Sequence, residues 1–133
     1  MELGEQWRRF LEEPRFAVLA TINPDGTPQQ TVIWYQLDGD EIVMNAADTR
    51  QKTANLRRDP RLSLCVEDGY RYVTLTGTAR LIEEQAHTQA DARRLAIRYR
   101  GPEEGACEAD QQYSKQQRVT IRMQVEHVVF HDE

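Results

Sequence analysis

Long apolar runs are missing from this sequence, which nowhere approaches the roughly 18 consecutive apolar residues of a membrane-spanning helix. Cysteine is scarce as well. Cys65 and Cys107 are the only two, too few for a disulfide framework and without the CxxC spacing of a redox or metal motif. Cys65, within Leu62-Ser63-Leu64-Cys65-Val66, reads as a small buried hydrophobe and Cys107 as an incidental residue of a polar loop. The sequence contains no P-loop, no GxGxxG and no Ser-His-Asp or Cys-His constellation. Of the three histidines, His127 and His131 can share one strand face but have no third ligand nearby, and His87 falls on the polar side of a helix. Met1-Glu2-Leu3-Gly4-Glu5 lacks the basic-then-apolar pattern of a signal peptide, so a cytoplasmic location is the expectation. Positive charge is in deficit. With 17 Lys and Arg against 22 Asp and Glu, the net charge of -5 argues against nucleic acid as a partner.

What is present suits one soluble domain spanning 1–133, with 39% hydrophobic and 29% charged residues. The basic residues are unevenly spread. Between Thr49 and Arg61 stand Arg50, Lys52, Arg57, Arg58 and Arg61 against a single acid, Asp59. Such a patch on an acidic chain is either a solvated helix face or the site of a discrete anion.

Leu3, Trp7, Phe10 and Leu11 fall at helical spacing, which predicts a short amphipathic helix over 4–13 ending near Pro14. Phe16 to Ile22, Thr31 to Leu37 and Glu41 to Asn45 read as strands. They are joined by Asn23-Pro24-Asp25-Gly26-Thr27 and Asp38-Gly39-Asp40, and together predict a three-stranded meander. Residues 49–58 favour helix, with Thr49 as the expected cap and Asp59-Pro60 as the stop. Arg61 to Glu67 and Tyr72 to Ile82 are the next strands, and Gly77 inside the second marks a bulge or a close backbone approach. Ala92, Leu95, Ala96 and Tyr99 give 84–100 a helical stripe that Gly101-Pro102 ends. Residues 103–117 read as a polar loop, a candidate lid. Val119, Ile121, Met123 and Val125 alternate as a last strand, which Val128-Val129-Phe130 extends after a break. Six or seven antiparallel strands with three helices are most economically closed into a small barrel, whose exposed apolar face favours a dimer.

This order of elements resembles the pyridoxamine-phosphate-oxidase-like split barrels, the FMN-binding split-barrel fold. The match rests on Phe16-Ala17-Val18-Leu19-Ala20-Thr21, Asp25-Gly26-Thr27-Pro28 and Thr31-Val32-Ile33-Trp34-Tyr35. It continues through Thr49-Arg50-Gln51-Lys52-Thr53-Ala54-Asn55-Leu56, Asp59-Pro60-Arg61-Leu62-Ser63-Leu64, Gly77-Thr78-Ala79 and Tyr99-Arg100-Gly101-Pro102, nearly the whole chain. The resemblance implies a mainly β chain with flanking helices, a homodimer with the cofactor pocket at the subunit interface, and a small-molecule substrate. It assigns Arg50 and Lys52 to the cofactor phosphate, with Thr49 capping the helix and touching the phosphate. Independently of any family, a helix N-terminus with a guanidinium and an ammonium suits such a group. Gln30, Thr31, Val32 and Trp34 are implied beside the cofactor ring, although Val32 and Trp34 read equally well as core. Asn45, Ala46 and Ala47 are implied to approach the ring and ribityl chain, although small residues also suit any tight strand-to-helix turn. Asn55 either bonds across the helix or faces water.

The sequence differs from pyridoxamine-phosphate oxidases proper at Gln30 and Gln51, and lacks their basic, Trp-containing C-terminal segment. The Arg50-x-Lys52 pair and Tyr99-Arg100-Gly101-Pro102 resemble the deazaflavin branch, which uses coenzyme F420. That implies hydride transfer from reduced deazaflavin to a conjugated acceptor, a tetrapyrrole such as biliverdin being one substrate type. An FMN-dependent relative and a non-catalytic binder of cofactor, haem or lipid are the alternatives. No catalytic acid or base stands out; Tyr35, Tyr72 and Tyr113 are candidate proton donors among the five tyrosines, with nothing in the sequence to choose between them.

Overall fold

A computed structural model describes residues 4–132. The expected contribution of Leu3 to the first helix lies outside the described residues. Helix α1 (Glu5–Glu12) buries Phe10 and Leu11, and its Trp7 meets Phe130 edge-on at 4.3 Å between ring centroids. Strands β1 (Ala17–Ile22), β2 (Pro28–Ile33), β3 (Gln36–Asp38) and β4 (Glu41–Ala47) precede α2 (Gln51–Arg58). Then come β5 (Arg61–Asp68), β6 (Arg71–Ile82), α3 (Gln85–Arg100), α4 (Pro102–Gln111), a one-turn helix at Tyr113–Lys115 and β7 (Arg118–His131).

All seven strands form one antiparallel sheet in the order β2-β1-β5-β6-β7-β4-β3. Alternate residues from both ends of that order, Leu19 and Ile33 at one and Ile42 and Met44 at the other, join Leu64, Leu75, Ile121 and Met123 in one core. The sheet is therefore curled around its own apolar face, where burial removes most of these side chains from water.

The meander expected for the first strands is not formed. β1 and β2 make one hairpin and β3 and β4 another, and the two lie at opposite ends of the sheet. The cause is at Trp34-Tyr35, where the chain leaves the ladder: the Tyr35 N–H donates to the Tyr99 hydroxyl (3.1 Å), not to a neighbouring strand. That hydroxyl donates to the Arg15 carbonyl (2.6 Å). Beside it, Arg98 donates to the carbonyls of Tyr35 (3.0 Å) and Glu12 (3.0 Å). The end of α3 thus satisfies backbone groups between the two hairpins that no strand reaches.

Three further differences concern elements. Residues 103–117 are mostly helix: Pro102 occupies the first turn of α4 with Glu103 and Glu104 beside it, a favourable N-terminus. The described residues therefore form four α-helices besides the one-turn helix, and Cys107 lies exposed on α4; both cysteines are free. The last strand runs unbroken to His131, the irregularity being taken up opposite Thr76 and Gly77. There the anticipated bulge is found, and a Cβ on Gly77 would stand 1.9 Å from the Gln124 carbonyl oxygen.

Candidate functional site

At the outer mouth of the sheet, the ends of β2 and β4, the start of α2 and the underside of α3 enclose an open cavity of about 370 Å³. Its walls are of two kinds. Phe16, Val32 and Trp34 supply an apolar side, with Phe16 and Val32 63% and 65% exposed. Trp34 lies nearly parallel to Tyr99, 5.1 Å between centroids, and the Arg100 guanidinium sits over its ring. Arg50, Lys52 and Arg118 supply the other side.

The chain enters α2 through a tight turn. The Arg50 N–H donates to the Ala47 carbonyl, and the Thr53 hydroxyl donates to the same oxygen (3.0 Å). Arg50 is the capping position, in extended backbone and with no side-chain cap. Thr49, expected to cap, is exposed and does neither that nor line the cavity. Its place is taken structurally by Thr53, one turn further on, whose hydroxyl reaches back to close the turn. The backbone N–H groups of Gln51 and Lys52 meet no acceptor among the described residues.

Lys52 is buried, 4% exposed, and its ammonium makes no hydrogen bond or ion pair with any described residue. Burial, with Arg50 and Arg118 beside it, lowers its pKa to about 8. The Arg50 side chain also has no ion-pair partner among the described residues. Arg118, 9% exposed, is held by neutral groups: its Nε donates to Asn45 Oδ1 (2.8 Å), a terminal nitrogen to Gln116 Oε1 (2.6 Å), and its guanidinium lies over the Tyr113 ring at 4.5 Å. Burial pulls its pKa down. Three cations therefore surround one cavity with no carboxylate paired to them, an arrangement that favours an anion.

The wider basic patch does not survive as one. Arg57 pairs with Asp48 and Glu83, Arg61 with Asp59 (2.8 Å), and Arg58 reaches Asn55 Oδ1 and the Ile22 carbonyl. Asn55 is fully buried. It donates to Thr21 Oγ1 (3.0 Å) and Asn23 Oδ1 (3.1 Å), pinning α2 to β1 and the following turn.

Of the residues the sequence placed near a cofactor, Val32, Trp34, Asn45, Ala46, Ala47, Arg50 and Lys52 come together around the cavity. Gln30 does not: it is exposed on β2, two residues from Val32, beyond the cavity wall. Thr31 also stays outside, because strand alternation turns it with Ile33 to the inner face, where its hydroxyl is buried without a partner among the described residues. Arg118 was not foreseen. It opens β7 on the face that alternation marks as polar, and nothing local tells that α3 covers that face. Tyr113, Gln112 and Gln116, from the segment read as a lid, do border the cavity, Tyr113 from the one-turn helix and the two glutamines from the residues on either side of it. Of the three phenols, Tyr113 alone lines it. Burial and its bond to Glu108 push its pKa up to about 12, and Tyr35 is fully buried with its hydroxyl on the Glu13 carbonyl. Among the described residues, no helix is long and apolar enough to cross a membrane.

The sequence profile of the family described as pyridoxamine 5′-phosphate oxidase matches residues 3–132. A solved structure described as an F420 reductase superposes with a TM-score of 0.77 at 27% identity, over 96% of this chain and 98% of that one. A conserved hypothetical protein from Mycobacterium tuberculosis gives 0.79 at 34% identity, over 98% and 85%. A heme storage protein from Vibrio cholerae gives 0.73 at 17% identity, over 98% and 96%, a likeness of fold alone.

Proposed function

Because this chain belongs to the pyridoxamine 5′-phosphate oxidase-like split-barrel family, we propose that its cavity holds coenzyme F420 and that the protein is a deazaflavin-dependent reductase. The observation that carries the reading is the two-sided cavity: a phosphate-bearing planar ring needs an apolar wall and a cationic one facing the same space, and both line this cavity. Arg50, Lys52 and the free amides at the start of α2 would hold the phosphate. Trp34 and Val32 would flank the ring, with Ala46 and Ala47 leaving space for the ribityl chain. Arg118 adds a third positive charge. The bound deazaflavin would supply the hydride chemistry, and the chain supplies position, charge and exclusion of water. The acceptor in this reading is a conjugated organic molecule, a tetrapyrrole being one such type.

The likeness to an F420 reductase at 27% identity supports the deazaflavin over FMN, while the same wall and cations suit FMN's ring and phosphate. We further propose a homodimer in which the exposed Phe16 and Val32 adjoin the partner. Fluorescence titration of the purified protein with F420 and with FMN tests the reading. We expect tight F420 binding that weakens about tenfold or more in Lys52→Ala, the loss of a charge-assisted contact. Tighter FMN binding moves the assignment to a flavin enzyme. No binding of either by folded protein overturns the anion site.

A further inference from the structure

Beneath α3 a row of buried polar groups runs inward from the cavity wall, and the cofactor reading leaves its inner members, Thr120 and Asp91, unused. Asp91, on the inner side of α3, is 3% exposed; Thr120 on β7 is fully buried, and Asn45 on β4 is 8% exposed. Asn45 and Thr120 sit opposite each other in the β4–β7 ladder, directly under the helix. A buried carboxylate and guanidinium are costly to keep in a small protein when apolar residues would pack as well.

The direction of every hydrogen bond in this row is fixed by chemistry. Asn45 Nδ2 faces the Thr88 carbonyl (2.9 Å), which only accepts, so Oδ1 must be the atom turned to Arg118 Nε (2.8 Å). Nδ2 also donates to Thr120 Oγ1 (3.1 Å), and that hydroxyl spends its one proton on Asp91 Oδ2 (2.8 Å). The chain runs one way, from Arg118 through Asn45 and Thr120 to Asp91, a cation at one end and an anion at the other. Bonds aligned in this way polarise one another, so the carboxylate strengthens the hold on the guanidinium without touching it. Arg118 and Asn45 line the cavity; Thr120 and Asp91 do not. Gln85 fixes the backbone at the same point, accepting from the Arg118 N–H and donating to the Arg118 carbonyl, both at 3.0 Å.

We propose that Asp91 and Thr120 are positioning residues for the anionic ligand, acting through Asn45 to aim and hold Arg118 as the third cation of the site. The proposal rests on the anion-site reading above. Asp91 also meets His87 and Arg94 on the surface of α3, so its charge is anchored at both ends of the helix turn it occupies.

A double-mutant cycle tests it, with F420 and FMN as probes in fluorescence titration. Arg118→Gln is expected to weaken binding about tenfold and Asp91→Asn about threefold to tenfold. The double variant should bind no more weakly than Arg118→Gln alone, because Asp91 acts only through Arg118. Thr120→Val, isosteric but unable to relay, should match Asp91→Asn, and Thr120→Ser should restore affinity. These two also serve if Asp91→Asn does not fold. A merely structural role predicts lower melting temperatures with unchanged dissociation constants, or additive losses in the cycle, and either result overturns the proposal. If Lys52→Ala weakens binding while Arg118→Gln does not, the anion site stands and the relay falls. If neither variant changes binding, the anion-site reading falls first.

Discussion

Lys52 is one of two lysines in the chain, the other being Lys115, and it is the one that folding buries with no partner among the described residues. With its pKa at about 8 in the fold against 10.5 as the ordinary value, the unfolded chain holds this proton more tightly between those limits. Its contribution to stability is therefore unfavourable below pH 8 and is relieved as pH rises from about 8 to 10.5. Lys52→Met should raise the melting temperature of the ligand-free protein at pH 7 by about 2–5 °C while weakening anion binding about tenfold or more, a trade of stability for function. An unchanged or lower melting temperature would contradict the unpaired ammonium. A bound anion favours the charged form, so affinity should stay level below pH 8 and fall above it. With only two lysines to resolve, the Cε resonance of Lys52 can be followed directly by NMR and should titrate near 8 when free and higher when bound. Lys52 was legible in the sequence because Arg50-x-Lys52 sits at a strand-to-helix turn. Arg118 was not, since its role depends on Asn45, 73 residues earlier, and on a helix packed across both.

At the scale of elements, α3 gives Ala92 and Leu95 to the cavity's far wall, and α4, packed on α3, leads directly into Gln112 and Tyr113, which also line it. The two helices approach so closely that a Cβ on Gly105 would lie 2.5 Å from the Ile97 backbone nitrogen and Cα. Gly105→Ala must therefore push α4 outward and carry Tyr113, which lines the cavity, with it. Lower stability by about 2–4 kcal/mol in urea denaturation, together with weaker ligand binding, is the expected result. Gly77→Ala should cost as much or more stability through its clash with the Gln124 carbonyl, but it lies in the β6–β7 ladder, outside the cavity lining. Its surviving folded fraction should bind normally, and the contrast separates wall from scaffold. The bulge at Gly77 could be read from the sequence because a glycine inside a β-branched run has few other reasons to be there. The helix at Gly105 could not: a glycine amid glutamates reads as loop unless the backbone of α3 is known to lie against it. In the same way, the strand break at Trp34-Tyr35 depends on Tyr99, 64 residues away, and so two hairpins looked like one meander.

The whole molecule leaves one face unlike the rest. Across the sheet, Val32 pairs with Val18, Val18 with Cys65, Cys65 with Thr74 and Thr74 with Val129, a straight uncharged row through five strands. The adjacent row, Gln30, Ala20, Ser63, Thr76 and His127, likewise carries no carboxylate, lysine or arginine. In a chain with 29% charged residues, ten such neighbours on an open sheet face make an interface of the kind a second copy would cover. Val18, Val32 and Val129 stand 37%, 65% and 49% exposed along it, and Val32 also walls the cavity. We therefore expect the protein to sediment at twice its 15.5 kDa chain mass. Val18→Arg, which faces the row but not the cavity, should sediment as a single chain with its secondary structure intact. If the partner closes the apolar side of the cavity, that variant should also bind F420 or FMN at least tenfold more weakly, because Phe16 and Val32 would leave the ligand's ring open to water. A wild-type protein that is monomeric yet binds at full affinity would show that one chain completes the site and that the uncharged face serves something else.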